Sequence, residues 1–430
     1  MLEVREVPGK GRGVFATRTI TGGEVVLREP PLLLYPQQST AAAFCSFCLR
    51  AFNSLEDSAA AVVPCGTCGR VGFCSSACAA AAAADVGSHC AAVCGLLAAC
   101  NTAGLSDEQQ TALQFLARCC ALRQAAAAGD AAAAARCAAI AGLAAPPPLV
   151  PHPAEQQSAP GTGSNSSTDV VVRELHGRLS HALAAIGAGP AAALSPAEAA
   201  ELLRKEATNG YGVMAPSAPD GERRIRGTAL YAQASLINHE CLPNVARFDR
   251  FDASSAPASS APHPGANTAV EFRALHDIPA GEELTQSYFP LPWPLADRQQ
   301  RCQEDYGFQC TCPRCKEEAT WSDSEWEADG DAGMEDALAA EGAADGAACG
   351  HHSHQHDAPG GGPAAAEQEG GADPACISLF LLKYVCPAEG CYGTLAPLPP
   401  GAGAGDQYEC NMCGRRRSEA EFMAELEAAQ

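Results

Sequence analysis

Ser235-Leu236-Ile237-Asn238-His239-Glu240-Cys241-Leu242-Pro243-Asn244 is the stretch from which the rest of the chain can be ordered. It sets an Asn-His pair two and three residues ahead of a cysteine. Far downstream stands Cys310-x-Cys312-x-x-Cys315. Three thiolates fill three corners of a zinc tetrahedron and leave one open. Cys241 is the best candidate for the fourth, and a shared ion would brace the Asn238–His239 segment from behind. Between the two lie Gly281-Glu282-Glu283-Leu284-Thr285-Gln286-Ser287-Tyr288 and Tyr306-Gly307-Phe308-Gln309-Cys310.

The chain has 430 residues, 23 of them Cys, with 28 Lys+Arg against 50 Asp+Glu. That length holds two or three domains. Hydrophobic residues reach 47% but aromatics only 6%, so much of the apolar share is alanine. No run of about 18 apolar residues occurs, so no spanning helix and no membrane partner are expected. Met1 to Gly13 is charged and Gly-rich, without the apolar core of a secretory leader. Cysteine usage in such a chain points to metal rather than disulfides. The net charge of −22 argues against a nucleic-acid partner. Residues 316–373 hold 15 acidic side chains and one Lys, so most of the imbalance sits in one low-complexity stretch.

Along the chain, strands are expected between Val14 and Leu34, interrupted by Thr21-Gly22-Gly23. Ser106 to Leu143 is helical, with Ser106 as N-cap and Gln109 three residues on. Residues 146–168 are Pro/Ser/Gly-rich and read as a disordered insertion. Val170 to Ile186 and Pro196 to Ala207 are helical, the second capped by Ser195 with Pro196 at its first position. Short strands resume at Gly210–Met214, Val245–Asp252 and Thr268–Ala274, with residues 253–264 as a long hairpin loop. A helix follows Ser418. The acidic, His-containing linker spans 317–373; its His351, His352, His354 and His356 read as a solvated tract rather than a metal site. No internal repeat is present.

Three Cys-rich sets carry metal-ligand spacing. The first holds Cys45-x-x-Cys48, Cys65-x-x-Cys68 and Cys74-x-x-x-Cys78, then Ser88-His89-Cys90-Ala91-Ala92-Val93-Cys94. Eight ligands make two zinc ions, and the metal would supply folding energy that so small a core lacks. The second is Cys310, Cys312 and Cys315 with Cys241. The third, Cys386-x4-Cys391 and Cys410-x-x-Cys413, reads as a zinc ribbon acting as a structural clip. Cys100, Cys119, Cys120 and Cys137 fall on Ala-rich helices and read as small core residues.

The first set resembles a MYND zinc finger. The interleaved ligands of that family imply Cys45, Cys48, Cys74 and Cys78 for one ion, and Cys65, Cys68, Cys94 and one more for the other. The family ends in H-x-x-x-C. Counting three residues back from Cys94 gives Cys90, favoured on spacing, with His89 as the alternative one position away. MYND fingers normally bind peptides, so a peptide partner is implied.

Four separated segments, Lys10-Gly11-Arg12-Gly13-Val14-Phe15-Ala16, Asn209-Gly210-Tyr211-Gly212-Val213, Ser235 to Asn244 and Gly281 to Tyr288, resemble a SET domain split by that finger. Tyr306 to Cys315 resembles its post-SET zinc cluster. This order is similar to the SET and MYND domain family of protein-lysine methyltransferases. The resemblance implies an α+β fold: a mainly-β, pseudoknotted SET core with a helical insert, an interleaved MYND finger, a post-SET cluster and a C-terminal zinc ribbon. The implied boundaries are 1–44 and 208–299 for the SET parts and 45–94 for the finger. They are 95–207 for the insert, 300–316 for the post-SET cluster, 317–373 for the linker and 374–430 for the ribbon and last helix.

By the same resemblance the cofactors are S-adenosyl-L-methionine and zinc, and the substrate is a protein or peptide lysine, with histones among the possibilities. Tyr288 is the implied catalytic tyrosine, and Tyr306 lines the lysine channel. Phe308 packs near the cofactor; Asn209, Asn238 and His239 hydrogen-bond it. Lys10, Gly11, Arg12 and Gly13 form a turn in which glycine allows close backbone approach and a cation meets the cofactor carboxylate. Two departures stand out. Glu240 replaces the usual Ser and is expected to face solvent. The better-known members continue into a long C-terminal helical-repeat domain; with only the short Ser418–Gln430 helix to stand in its place, the substrate wall such repeats provide is expected to be missing or supplied by a partner. The alternative reading is an inactive scaffold that recruits partners through the finger; a DNA-binding role fits the charge least. Nucleus and cytoplasm are both expected compartments, since Arg415-Arg416-Arg417 is too short for an import signal.

Overall fold

Lys10 donates its backbone N–H to Val7 O at 3.0 Å and so closes a hairpin between β1 (Leu2–Val7) and β2 (Gly11–Ala16). Gly9 and Gly11 bracket that turn at φ 76° and 79°, a region that other residues enter at a cost. The computed structural model of the chain describes residues 1–52, 62–145, 167–215, 224–252, 266–321, 372–401 and 406–428. It divides into two compact units. One comprises Met1–Arg28, Leu236–Phe248 and Glu271–Gln430; the other comprises Glu29–Ser235 and Asp249–Val270. No described helix is long and apolar enough to cross a membrane. The fold is α+β, as the pattern of short strands and capped helices requires.

In the first unit, β12 (Glu283–Gln286) pairs antiparallel with β2 and parallel with the two-residue β9 (Asn238–His239). The register sets Thr285 opposite Asn238 and Gln286 opposite His239. A second sheet runs in the order β10 (Val245–Phe248), β11 (Val270–Ala274), β3 (Val25–Glu29). Val245, Phe248, Val270 and Phe272 are buried from it.

The C-terminal segment is fastened to the rest of this unit. Its sheet, β13 (Leu395–Pro397), β14 (Gln407–Cys410) and β15 (Arg416–Ser418), packs on the second sheet. Asn411 donates to Arg247 O at 2.8 Å, and Arg273, 2% exposed, pairs with Glu409 at 2.8 Å. A helix at Pro374–Tyr384, absent from the sequence reading, brings Tyr384 to donate to Leu275 O at 3.1 Å. Tyr384, Ala396, Phe248 and Leu291 share one apolar cluster. The last helix, Glu419–Ala428, is capped by Ser418, whose hydroxyl accepts from Glu421 N at 3.1 Å.

The second unit holds the sheet β4 (Leu33–Pro36), β8 (Ile225–Leu230), β7 (Tyr211–Met214). It also holds the short hairpin β5 (Val63–Pro64) and β6 (Gly72–Phe73). Its helices are α1 (Ser76–Ala84), α2 (Ala91–Ala99), α3 (Asp107–Ala127), α4 (Ala131–Ala141), α5 (Ser167–Ala185) and α6 (Pro196–Asn209). The capping box at Ser106 and the N-cap at Ser195 form as the sequence predicts, and Glu198 completes a second box that the sequence reading did not name. Ser106 and Gln109 exchange bonds at 3.2 and 2.9 Å, and Ser195 and Glu198 at 3.2 and 2.7 Å. Leu113, Phe115, Leu116, Leu175, Leu179 and Leu230 bury against one another between these helices and β4 and β8. Cys100, Cys119 and Cys120 lie in that core. The Glu29 carboxylate accepts four N–H contacts from Ala232, Gln233 and Ala234 at 2.9–3.0 Å, which pins the loop after β8.

Two further helices belong to the first unit, α7 (Leu295–Tyr306) and α8 (Pro313–Glu318); the helices at 374–384 and 419–428 are α9 and α10. Glu318 in α8 is buried, so the acidic stretch does not begin as linker at residue 317. Residues 322–371 of that stretch, with its four histidines, lie outside the described residues, as do 146–166 of the Pro/Ser-rich insertion and 253–265 of the long loop.

Candidate active site and metal centres

Four groups of ligand atoms converge, each within 4.8 Å. They are Cys45, Cys48, Cys74, Cys78; Cys65, Cys68, His89, Cys94; Cys241, Cys310, Cys312, Cys315; and Cys386, Cys391, Cys410, Cys413. All described cysteines are free thiols. Zn–S bonds of about 2.3 Å set tetrahedral corners about 3.8 Å apart. The sulfur pairs Cys48–Cys74, Cys74–Cys78 and Cys65–Cys94 lie at 3.7, 3.5 and 3.9 Å. Cys241–Cys310 and Cys241–Cys315 lie at 4.0 and 3.5 Å, and Cys386–Cys413 and Cys391–Cys410 at 3.6 and 3.7 Å. Each donor set therefore fits a zinc ion.

Three of the knuckles share one backbone device. The residue after the second Cys turns back to donate to the carbonyl of the first: Leu49 N to Cys45 O, Gly69 N to Cys65 O and Gly414 N to Cys410 O, at 2.9, 2.9 and 3.1 Å. The turn needs a left-handed residue. Gly69 and Gly414 supply it at φ 63° and 71°, and Leu49 adopts it at φ 54°.

The second set corrects the sequence reading: its fourth ligand is His89, not Cys90. Cys90 is the N-cap of α2, and its Sγ points to Val86 O at 3.6 Å among Val93 and Ala121. The helix start fixes that direction, because the Cys90 carbonyl already accepts from Cys94 N at 2.8 Å. The residue before the cap faces the other way, and His89 Nε2 comes to 3.4 Å from Cys68 Sγ. Burial lowers the His89 pKa to about 4, which keeps the imidazole neutral, as a ligand must be.

The candidate active-site residues of the first unit are built on β2, β9, β12 and the end of α7. Asn238 gives both amide hydrogens away, to Glu283 Oε1 at 2.7 Å and to Arg12 O at 3.1 Å. Its Oδ1 is thereby set as the acceptor. Lys10 Nζ lies 3.3 Å from the other Glu283 oxygen. Gly13 has no room for a side chain, since a Cβ would stand 2.5 Å from Glu283 Oε1 and 3.1 Å from Asn238 Nδ2. Gly11 borders open space, and the Lys10 and Arg12 side chains are exposed beside it.

His239 Nδ1 accepts from Tyr288 N at 3.2 Å, so the neutral ring carries its proton on Nε2, 3.3 Å from Cys241 Sγ. Burial pushes the His239 pKa down to about 4. One imidazole thus couples the third metal set to the backbone of Tyr288. Around it the rings close up: Tyr288 lies 4.6 Å from Tyr306 and 5.2 Å from His239, and Phe308 lies 6.3 Å from Tyr306 and 6.2 Å from His239. The Tyr288 hydroxyl donates to Ile237 O at 3.3 Å.

Lys10, Gly11, Arg12, Gly13, Asn238, His239, Tyr288, Tyr306 and Phe308 thus share one unit. Asn209 does not belong to it. In the other unit, at the end of α6, it donates to Ala144 O and Lys205 O at 2.7 and 2.8 Å, so its amide hydrogens serve the chain itself. Glu240 does not face solvent as expected. It is half-buried, and desolvation together with the Cys312 thiolate raises its pKa to about 7. Glu283 is the residue the sequence reading quoted without a role. Its signal was its place in register beside β2, which only the strand pairing reveals.

Exposed cations, an oriented amide acceptor and a set of aromatic faces suit a ligand with a carboxylate, an ammonium and a sulfonium or nucleobase. S-adenosylmethionine carries all of these.

The SET domain family model matches residues 11–289, and the chain belongs to that family. It is 32% identical over 434 residues to histone-lysine N-methyltransferase ASHR2 of Arabidopsis thaliana, covering 96% of this chain and 94% of that protein. It is 33% identical over 96 residues to human N-lysine methyltransferase SMYD2, 22% of this chain and 18% of that protein. A SET and MYND domain-containing protein of Dictyostelium discoideum is 28% identical over 123 residues, 29% of this chain and 26% of that protein.

Proposed function

We infer that this protein is an S-adenosylmethionine-dependent protein-lysine N-methyltransferase. The observation that carries the reading is the union, in a SET-family chain, of the Lys10–Gly13 turn, the Asn238 amide and the Tyr288, Tyr306 and Phe308 rings around His239. When bound, S-adenosylmethionine supplies an electrophilic methyl group on a sulfonium sulfur.

The chain's own residues do the rest. Lys10 and Arg12 offer cations to a carboxylate, and Asn238 Oδ1 offers an acceptor to an ammonium. The acceptor lysine must be neutral, although free lysine titrates near 10.4. Tyr306 and Tyr288 wall it off from water, and desolvation disfavours its charged form. The Tyr288 hydroxyl donates its hydrogen to Ile237 O, so toward a substrate it acts as an acceptor, including of weak C–H contacts. Burial raises the Tyr306 pKa, which keeps that phenol neutral. Alignment and water exclusion are the work required, and positioning of this kind supplies up to roughly 7–11 kcal/mol.

The substrate is a lysine-bearing protein, and histones are the first class to test, given the name of the Arabidopsis relative. Basic flanking sequence would suit a chain of net charge −22. The first two metal sets form a MYND-like module that recruits a peptide partner, and the enzyme works in the nucleus, the cytoplasm or both. Incubation with isotopically labelled S-adenosylmethionine, a histone panel and whole-cell lysate, followed by mass spectrometry, tests the reading. Methyl-lysine formation that falls sharply in Tyr288→Phe supports it. No labelled lysine in any fraction removes it.

A further inference from the structure

Behind the active-site residues lies a charged cluster with no access to water. Arg298 on α7 is 0% exposed, and Arg314 and Glu318 on α8 are buried with it. Glu318 bridges the two guanidiniums: Oε1 takes Arg314 Nε at 2.6 Å, and Oε2 takes Arg298 Nη2. The same Nη2 lies 3.7 Å from Cys315 Sγ. Arg298 Nη1 donates to Trp293 O at 2.5 Å, while its Nε finds no acceptor among the described residues. Arg314 Nη1 donates to Leu291 O at 2.7 Å and reaches Cys241 O at 3.5 Å. On the neighbouring turn Gln299 grips the Cys310 backbone from both sides, at 2.7 and 3.1 Å.

Burying three charged side chains is expensive, and removing either partner of such a set leaves an unpaired buried charge. Two guanidiniums and one carboxylate also carry a surplus positive charge. Among the described residues, the other ionised group they touch is the Cys315 thiolate of the third metal set. Four thiolates outweigh one zinc dication by two negative charges, and three of the four cysteines are buried, where water screens them poorly. The cluster's surplus sign and its N–H···S contact both answer that excess.

We propose that the Arg298–Glu318–Arg314 cluster is the counter-charge of the third zinc site, with Arg298 a positioning residue that retains the metal through Cys315. Glu318 keeps the two guanidiniums together and aims Arg298 at the sulfur. Because Cys241 is one of the four ligands, retention of the ion fixes the segment that carries Asn238 and His239. This goes beyond the proposed activity, and its zinc readout stands whether or not the site binds a nucleoside cofactor.

The test is zinc release from purified full-length protein, followed with a chromogenic chelator and checked by elemental analysis. Arg298→Gln is expected to release one of four ions about 10- to 100-fold faster, the scale typical of groups behind metal ligands. Arg298→Lys should recover part of that. Adding Cys312→Ala to Arg298→Gln should not raise the number of fast-released ions, which assigns the loss to this site. Amide exchange over residues 236–244 should speed up while that of residues 395–397 does not. A purely structural cluster behaves differently. The triple variant Arg298→Met, Arg314→Met, Glu318→Leu replaces it with apolar packing and should restore the melting temperature if Arg298→Gln lowers it. If that folded triple variant keeps the metal like the wild type, the proposal is overturned; if it folds and still releases one ion fast, the proposal stands.

Discussion

Asn238 and Glu283, far apart in sequence, meet through a 2.7 Å hydrogen bond that leaves the asparagine only one face for a ligand. Glu283 accepts, so Nδ2 points inward and Oδ1 outward, and the amide cannot flip without setting oxygen against oxygen. Glu283→Ala frees that rotation and leaves Lys10 without its partner. A hydrogen bond to a charged group contributes about 1.5–3 kcal/mol. S-adenosylmethionine binding, measured by calorimetry, should weaken roughly 10- to 150-fold. Lys10→Met should weaken it by less than about 1 kcal/mol, because that ion pair is exposed. Wild-type affinity in Glu283→Ala would show that Asn238 needs no support.

Tyr288→Phe keeps the ring that packs on Tyr306 and His239 and removes the hydroxyl that donates to Ile237. The backbone bond from Tyr288 N to His239 is untouched. Turnover should therefore fall, by about 10- to 100-fold for the loss of one aligned hydroxyl, each tenfold being about 1.4 kcal/mol. The dissociation constant for S-adenosylmethionine should stay within about twofold. A parallel fall in cofactor affinity would mean that the hydroxyl serves binding, not transfer.

His89 and Cys90 stand side by side, and only one faces a metal. Cys90→Ala should retain four zinc ions per chain by elemental analysis, since its thiol points to Val86 O and packs with Val93 and Ala121, away from the ligand group. His89→Ala should lose one, or release it at least about tenfold faster, because three thiolates cannot close the tetrahedron. The opposite pattern would return the fourth position to Cys90.

That pair shows what a sequence can and cannot disclose. Spacing and the family resemblance together picked out every member of the four sets but one, at the position where the chain direction reverses just before a helix. Counting residues assumes a uniform path, whereas the cap at Cys90 swings adjacent side chains to opposite sides. The capping box at Ser106 and the N-cap at Ser195 were legible because they are local devices of a few residues. Glu283, the Arg298–Glu318–Arg314 cluster and the docking of β14 on the sheet of β10 and β11 were not, because each depends on partners remote in sequence. The burial of Glu240 escaped for the same reason: a carboxylate looks solvated until the thiolates around it are placed.

Leu49 tests which of two opposed effects governs a zinc knuckle. It holds a left-handed backbone at φ 54° where the equivalent positions of two other knuckles use glycine. Leu49→Gly would relieve strain of about 1–2 kcal/mol. Yet Leu49 is 0% exposed, and its methyls lie against Gly227, where an added Cβ would stand 2.4 Å from Leu49 Cδ1. Removing a buried leucine side chain costs about 2–5 kcal/mol, and the extra freedom of glycine adds roughly 0.5–1 kcal/mol. Packing wins, so Leu49→Gly should lower the thermal midpoint while leaving four zinc ions bound. Gly227→Ala should lower it too, since the new methyl meets both Leu49 and the Tyr35 carbonyl. A raised midpoint in Leu49→Gly would mean that backbone strain, not burial, decides the stability of this turn.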